Sequence, residues 1–460
     1  MALYVLAAAF LLLFLYWAYL FVNTKAVLIY DAVDYVNFGR MLAEKGWIEF
    51  FRTAPHREPL FSIYISWAMK LEGVFGVPYW YLVKAINMAH LALAMALVFW
   101  LTRLLGAGRI VAGWAAFYTG LSPALLNSTL WLWSEGVALP WPLLCVIAAV
   151  YIWRECVSCN GRLSRVAGWS AVFTGAFLIL IMVKIIAAAV LSIFLGLFFI
   201  FCCTSFVRKD GKRAMRALLA VILPAVVITG VLQLYKELNG HYSGHYVLTD
   251  RGAWALCGNT TRRLQPLTQE RFAQALLSVP RLGLCEQVYG GRACAFWGFA
   301  MSDQYALQAG AEAAARGYSL EQEDRFYLSR SLELMRQHPF QEALLTAVES
   351  LKMLCWENRL FFVQYPRTPA QIFSTGWVVF GLCGIWALLS LAGFCCGLVK
   401  VFHGQQGLWD EGSSSAPVAR LFTLVFLVGF IGLYAIFFID IRYGLPSAPL
   451  FIALVFSMFY

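Results

Sequence analysis

The sequence predicts an all-α polytopic membrane protein, and three observations carry that prediction. Hydrophobic residues make up 61% of the chain and charged residues 13%, against about 25% charged in a soluble domain, which leaves too little polar surface for a water-soluble fold. Apolar runs long enough to cross a bilayer recur along the chain. Basic residues cluster in short connections between some of these runs, as they do in cytoplasmic loops.

In chain order the runs fall near 2–22, 79–101, 110–128, 135–153, 166–183, 186–206, 217–235, 373–399, 420–439 and 445–460, which predicts about ten transmembrane helices. The first, "ALYVLAAAFLLLFLYWAYLFV", has neither the basic n-region nor the clear small-residue cleavage site of a secretory signal and is read as a retained helix. Arginines and lysines concentrate in "LTRLLGAGR", "WRECVSCNGRLSR" and "VRKDGKRAMR", which assigns these loops to the cytoplasm and leaves both termini inside. The expected organisation is an N-terminal transmembrane catalytic module over 1–235 with an outer loop at 23–78, an extracytoplasmic domain over 236–372, and C-terminal transmembrane helices over 373–460. The net charge of +10 fits contact with anionic lipid, and no aromatic-interleaved basic stripe marks a nucleic-acid partner.

Within the outer segment, "HYSGHYVLTDRGAWALCGNTTRR" is rich in glycine and polar residues and reads as loop. Further on, Ser319 with Gln322 forms a capping-box pattern, and Pro339 suits the first turn of another helix. Ala343, Leu344, Ala347, Leu351 and Leu354 share a face of that helix. Most of the twelve cysteines sit in apolar runs and pack as small hydrophobes, but Cys257, Cys285 and Cys294 lie in the outer segment, where a disulfide is chemically permitted, and Cys285 with Cys294 is the expected pair. "DEGSSSAP" at 410–417 reads as a short flexible turn.

The charged residues with chemical promise gather beside the outer ends of spans. "IYDAVDYVNFGR" follows the first run, and helical spacing sets Asp31, Asp34 and Tyr35 along one side of a juxtamembrane helix. Arg57 in "HREPL" precedes a half-hydrophobic helix, Glu135 sits at the mouth of the fourth span, and Lys184 interrupts "LILIMVKIIAAAV" at an outer boundary. An ionisable group there is costly unless it snorkels or finds a partner. Carboxylates beside arginines and a lysine suit a reaction between a phosphate-bearing lipid and a hydroxyl-bearing acceptor.

"DAVDY" after the first span, "REPL", "SE" at the fourth span, "GNTTRR" and "RYGLPSAP" before the last run together resemble the C-type (GT-C) polyprenyl-phosphate-sugar-dependent glycosyltransferases. The branch most similar is that of the bacterial protein mannosyltransferases and the lipid A aminoarabinose transferase. The resemblance implies a catalytic base at Asp31, with Asp34 competing, a phosphate contact at Arg57 or the adjacent Glu58, and a second acidic residue at Glu135. It implies inverting transfer of a monosaccharide from a polyprenyl-phosphate donor to a hydroxyl or phosphate of a lipid, glycan or protein acceptor, outside the cytoplasmic membrane. Lys184 and an arginine among Arg262, Arg263 and Arg442 are expected to join Arg57 on the departing phosphate. A divalent metal, Mg or Mn, held by Asp31 and Glu135 is the one cofactor the chemistry suggests. The competing readings are a lipid or polysaccharide transporter or flippase, and a ligase using a lipid-pyrophosphate oligosaccharide.

Overall fold

The computed structural model describes the chain apart from residues 27, 29–30, 54–56, 250, 280–282, 358–362, 365–375, 404–414, 438–440 and 460. Its first half runs α1 (Ala2–Asn23), α2 (Asp31–Glu44), α3 (Trp47–Thr53), α4 (Pro59–Phe75), α5 (Tyr79–Leu104), α6 (Arg109–Leu121), α7 (Pro123–Leu130), α8 (Ser134–Ala138), α9 (Pro140–Val157), α10 (Leu163–Val183), α11 (Ala187–Val207) and α12 (Gly211–Ser243). Seven further helices follow outside the apolar runs: α13 (Arg251–Arg263), α14 (Gln269–Ser278), α15 (Leu284–Tyr289), α16 (Gly291–Ala295), α17 (Phe299–Ala315), α18 (Leu320–Gln337) and α19 (Pro339–Ser350). The chain closes with α20 (Gly376–His403), α21 (Ala416–Phe437) and α22 (Ala448–Ser457). Two strands of two residues, Lys25–Ala26 and Val363–Gln364, pair antiparallel.

Among the described residues eight helical segments are long and apolar enough to cross a membrane: α1, α5, Ser134–Val157 across α8 and α9, α10, α11, α12, Cys383–His403 within α20, and α21. The two other expected spans, 110–128 and 445–460, are broken. Helix α6 stops at Leu121 because Ser122 and Pro123 follow. Proline has no N–H to continue the ladder, and the Ser122 hydroxyl instead caps α7 by accepting from the Leu125 N–H. The buried Glu357 carboxylate fills the break, accepting from Ser122 Oγ at 2.5 Å and from the Ala124 N–H at 3.1 Å. In the last run, Ile441–Ser447 winds as 3-10 turns around Pro446, so the α-helix is confined to the ten residues of α22. Nearly every side chain of α22 is nevertheless buried, against α5, α6 and α20.

The centre of the bundle is α8–α9, whose central window is 83% buried against 22% for α1 and α12. Helices α1 and α12 leave most of their apolar surface for lipid. Phe173, Phe177, Phe194, Phe198, Phe422 and Phe426 interlock α10, α11 and α21 through edge-on and stacked ring contacts. Basic connections meet at one end: Arg216 donates to the carbonyls of Glu155 and Ser158, and Arg420 to that of Leu105.

At the other end stand α2–α4 and α13–α19. The stretch read as loop is helical over Arg251–Arg263, because Ala255, Leu256 and Cys257 give α13 an apolar side to bury. Gly258 permits its contact with α17, since a Cβ there would stand 2.2 Å from the Ser302 carbonyl oxygen. The capping box of Ser319 and Gln322 opens α18, Pro339 opens α19, and Cys285 is bonded to Cys294. The buried face of α19 is Glu342, Leu345, Val348 and Glu349, one register position away from the expected Ala343, Leu344 and Ala347. Two inward carboxylates set that register, for a reason seen below. The segment 410–414 lies outside the described residues.

Candidate active site

Helix α2 begins at Asp31 and carries Asp31 and Asp34 in its first turn, where carboxylates complement the helix dipole. Helix α4 begins at Pro59 with Arg57 just outside it, so the Arg57 side chain is free to lean over the start of α2. The two helices approach closely because Gly39 has no side chain. A Cβ there would lie 2.6 Å from Ile65 Cγ2. Arg57 Nη2 consequently stands 2.5 Å from Asp31 Oδ1 and 2.8 Å from Asp34 Oδ2, with its guanidinium 5.5 Å from the Tyr35 ring centre.

From the far end of the sequence, the 3-10 turn places Arg442 Nη2 2.8 Å from Asp31 Oδ2. One carboxylate is therefore shared by two guanidinium groups. Burial pushes the Asp31 carboxyl up, but Arg442 and Arg57, helped by Arg251, hold it well below the usual carboxylate range. Arg442 also lies over the rings of Trp133 and Tyr443, at 5.2 and 5.0 Å.

Lys184 occupies the break between α10 and α11 and reaches Glu135 on α8, Nζ to Oε1, at 2.8 Å. Both side chains are buried, and Lys184 Nζ sits 5.7 Å from the Tyr443 ring centre. In the same break the Ile185 N–H donates to Glu58 Oε1 at 3.2 Å. Tyr35 Oη and Ser134 Oγ, 3.1 Å apart, tie α2 to the residue before Glu135. Asp31, Arg442, Tyr443, Lys184, Glu135 and Tyr35 thus form one connected constellation.

A cavity of about 410 Å³ opens on it. Asp31, Tyr35, Arg57, Glu58, Lys184, Arg251 and Tyr443 supply its polar lining, and Ile185, Ile186, Leu248, Trp254, Ala255, Tyr434 and Phe437 its apolar lining. Asp34, with 45% of its side chain exposed, contacts Arg57 from outside that lining.

Arg262 and Arg263, expected on the phosphate, are placed elsewhere. Arg262 pairs with Glu349 at 2.5 Å, and Arg263 pairs with Glu349 at 2.6 Å and Glu342 at 2.7 Å. Lys352 joins Glu349 at 3.1 Å. Arg263 also donates to the Ala435 carbonyl at the end of α21. These arginines hold α13 to α19 and α21, which is what turns Glu342 and Glu349 inward.

The sequence reading passed over Arg251, the first residue of α13, and Asp303 on α17. Burial lifts the Asp303 carboxyl to about 6 against the opposing pull of Arg251, and Asp31 adds to the rise while Arg442 opposes it. Its Oδ1 is buried without a hydrogen-bond partner among the described residues. "AMSDQY" carries no local signal for this burial, which comes only from the packing of α17 on α13.

The two residues expected to hold a divalent metal, Asp31 and Glu135, both stand in ion pairs. Asp31 already meets two guanidinium groups and Glu135 an ammonium, and among the described residues no three His, Cys, Asp or Glu side chains converge as ligands.

The fold and this constellation define a multi-pass helical membrane protein with a charged cavity at one end of its bundle. No protein-family model matches the chain, and no curated protein matches it.

Proposed function

We propose that the protein is a membrane glycosyltransferase that moves a monosaccharide from a polyprenyl-phosphate donor to a hydroxyl of a lipid, glycan or protein acceptor on the outer side of the cytoplasmic membrane. The observation that carries this reading is the Asp31 carboxylate held between Arg57 and Arg442 at the edge of a largely apolar cavity. Phosphate and carboxylate compete for the same guanidinium forks. A lipid phosphate arriving at Arg57 and Arg442 takes over their hydrogen bonds and releases Asp31 from its ion pairs.

Freed of that pull, Asp31 accepts the proton of the acceptor hydroxyl as the hydroxyl oxygen bonds to the anomeric carbon and the bond from that carbon to the phosphate oxygen breaks. Arg57, Arg442 and Lys184 stabilise the charge left on the polyprenyl phosphate, and the apolar lining takes the adjoining chain. The anomeric centre inverts in this single displacement.

The sidedness reading has support of its own. Basic connections gather at the bundle end opposite the cavity, as in cytoplasmic loops. The Cys285–Cys294 disulfide belongs to the segment at the cavity end, as expected of an oxidising compartment.

The test incubates purified protein in lipid nanodiscs with radiolabelled polyprenyl-phosphate monosaccharides and a membrane lipid acceptor fraction. Label should pass to the acceptor as polyprenyl phosphate is released. Transfer from lipid-pyrophosphate oligosaccharides alone would establish the ligase reading instead, and movement of intact lipid-linked sugar between leaflets without transfer would establish the flippase.

A further inference from the structure

The thiols of Cys355 and Cys383 are neighbours although 28 positions separate them. Cys355 ends the 3-10 turn Leu351–Cys355 after α19, and Cys383 begins the apolar part of α20. Cys383 Sγ lies 3.8 Å from the Cys355 carbonyl oxygen, and both side chains are free thiols in this structure. Both are buried in one apolar cluster with Ala275, Val279, Trp297, Leu345 and Val348. That cluster adjoins α15 and α16, which the Cys285–Cys294 disulfide joins. The four cysteines therefore share a compartment, and the first pair requires it to be oxidising.

We infer that Cys355 and Cys383 form a second disulfide, a modification site independent of the proposed transfer reaction. The bond forms by thiol–disulfide exchange with a disulfide of an oxidoreductase, before α19 and α20 close over the thiols. Cys355 and Cys383 each lose a proton and together two electrons, an S–S bond forms between them, and the oxidant's disulfide is reduced to two thiols.

The bond has a defined mechanical role. It closes the loop that contains Val363–Gln364, whose strand pairs with Lys25–Ala26 just ahead of α2. The same loop starts from Glu357, which fills the break between α6 and α7.

The full-length protein, purified in detergent without reductant, is denatured and treated with excess N-ethylmaleimide, then digested for mass spectrometry. We expect a linked peptide pair containing Cys355 and Cys383 beside the Cys285–Cys294 pair, which serves as the positive control. Of the twelve cysteines, eight should be alkylated before reduction. In Cys355→Ser, Cys383 should become alkylated and the count should become nine. Ten alkylated cysteines in wild type, with Cys355 and Cys383 both labelled while Cys285 and Cys294 stay protected, would overturn the inference.

Discussion

Arg442 Nη2 stands 2.8 Å from Asp31 Oδ2, joining the turn before the last helix to the turn after the first. Arg57 holds the other oxygen of the same carboxylate. Asp31→Asn keeps the shape and removes both the charge and the proton acceptor. Turnover should fall by roughly 10²–10⁴ with donor binding kept or tightened, since the competing carboxylate charge is gone. Asp34→Asn is the control: its half-exposed pair with Arg57 is worth about 0–1 kcal/mol, so activity should stay near wild type. Single-turnover assays of both variants decide it, and a dead Asp34 variant beside an active Asp31 variant would reverse the assignment.

Lys184 and Glu135 form a buried pair, so removing one strands the other. Lys184→Met should cost about 3–5 kcal/mol of stability as well as activity. The double variant Lys184→Met with Glu135→Gln should recover most of the stability without recovering turnover. Thermal melts and initial rates on the two variants separate the two effects, and recovered turnover in the double variant would leave the pair a purely structural role.

Arg263→Met should act on folding alone. It leaves Glu342 and shares of Glu349 uncompensated, a loss of about 3–5 kcal/mol. Arg442→Met should instead weaken donor binding. Melting temperature and donor affinity, measured side by side, should therefore rank the two variants in opposite orders.

Asp303 and Glu357 give stability a pH dependence of known sign. Burial raises the Asp303 carboxyl to about 6 and the Glu357 carboxyl to about 7. Each binds its proton more tightly folded than unfolded, so stability is greatest below the ordinary carboxylate range and falls as pH rises toward these values. Asp31 has the opposite shift, but its contribution is already complete above about pH 5. Melting temperature should thus decline between about pH 5 and 8. Asp303→Asn should flatten the lower part of that decline and Glu357→Gln the upper part; unchanged slopes in both would contradict the assignment.

Gly39→Ala should push α2 away from α4, because the added methyl overlaps Ile65. The expected cost is about 1–3 kcal/mol with reduced turnover, and Ile65→Ala in the same chain should recover part of both. Circular-dichroism melts and transfer rates test this.

Local pattern made the spans, the capping box, the Pro339 start and the Cys285–Cys294 pair legible, since each depends on residues close in sequence. Lys184 and Glu135 were legible because a charge between apolar runs demands a partner. Arg262 and Arg263 were not, since "TTRR" reads alike whether its partner is a lipid headgroup or Glu349, far along the chain. The α6–α7 break was missed because hydropathy averages over Ser122 and Pro123, whose effect is on backbone hydrogen bonds. The α19 register was missed because a hydrophobicity stripe cannot anticipate two carboxylates facing inward.

The Arg263 guanidinium, which reaches from α13 to Glu342, Glu349 and the last carbonyls of α21, bears on any attempt to take the chain apart. A water-soluble fragment cut out at 236–372 would carry away the arginine and both glutamates but leave the carbonyls behind, exposing a guanidinium that the intact chain buries. A chimaera that exchanges this segment for a foreign one inherits the same defect at α21. Grafts and crystallisation fragments therefore need their cut points beyond α21, with the segment and that helix carried together.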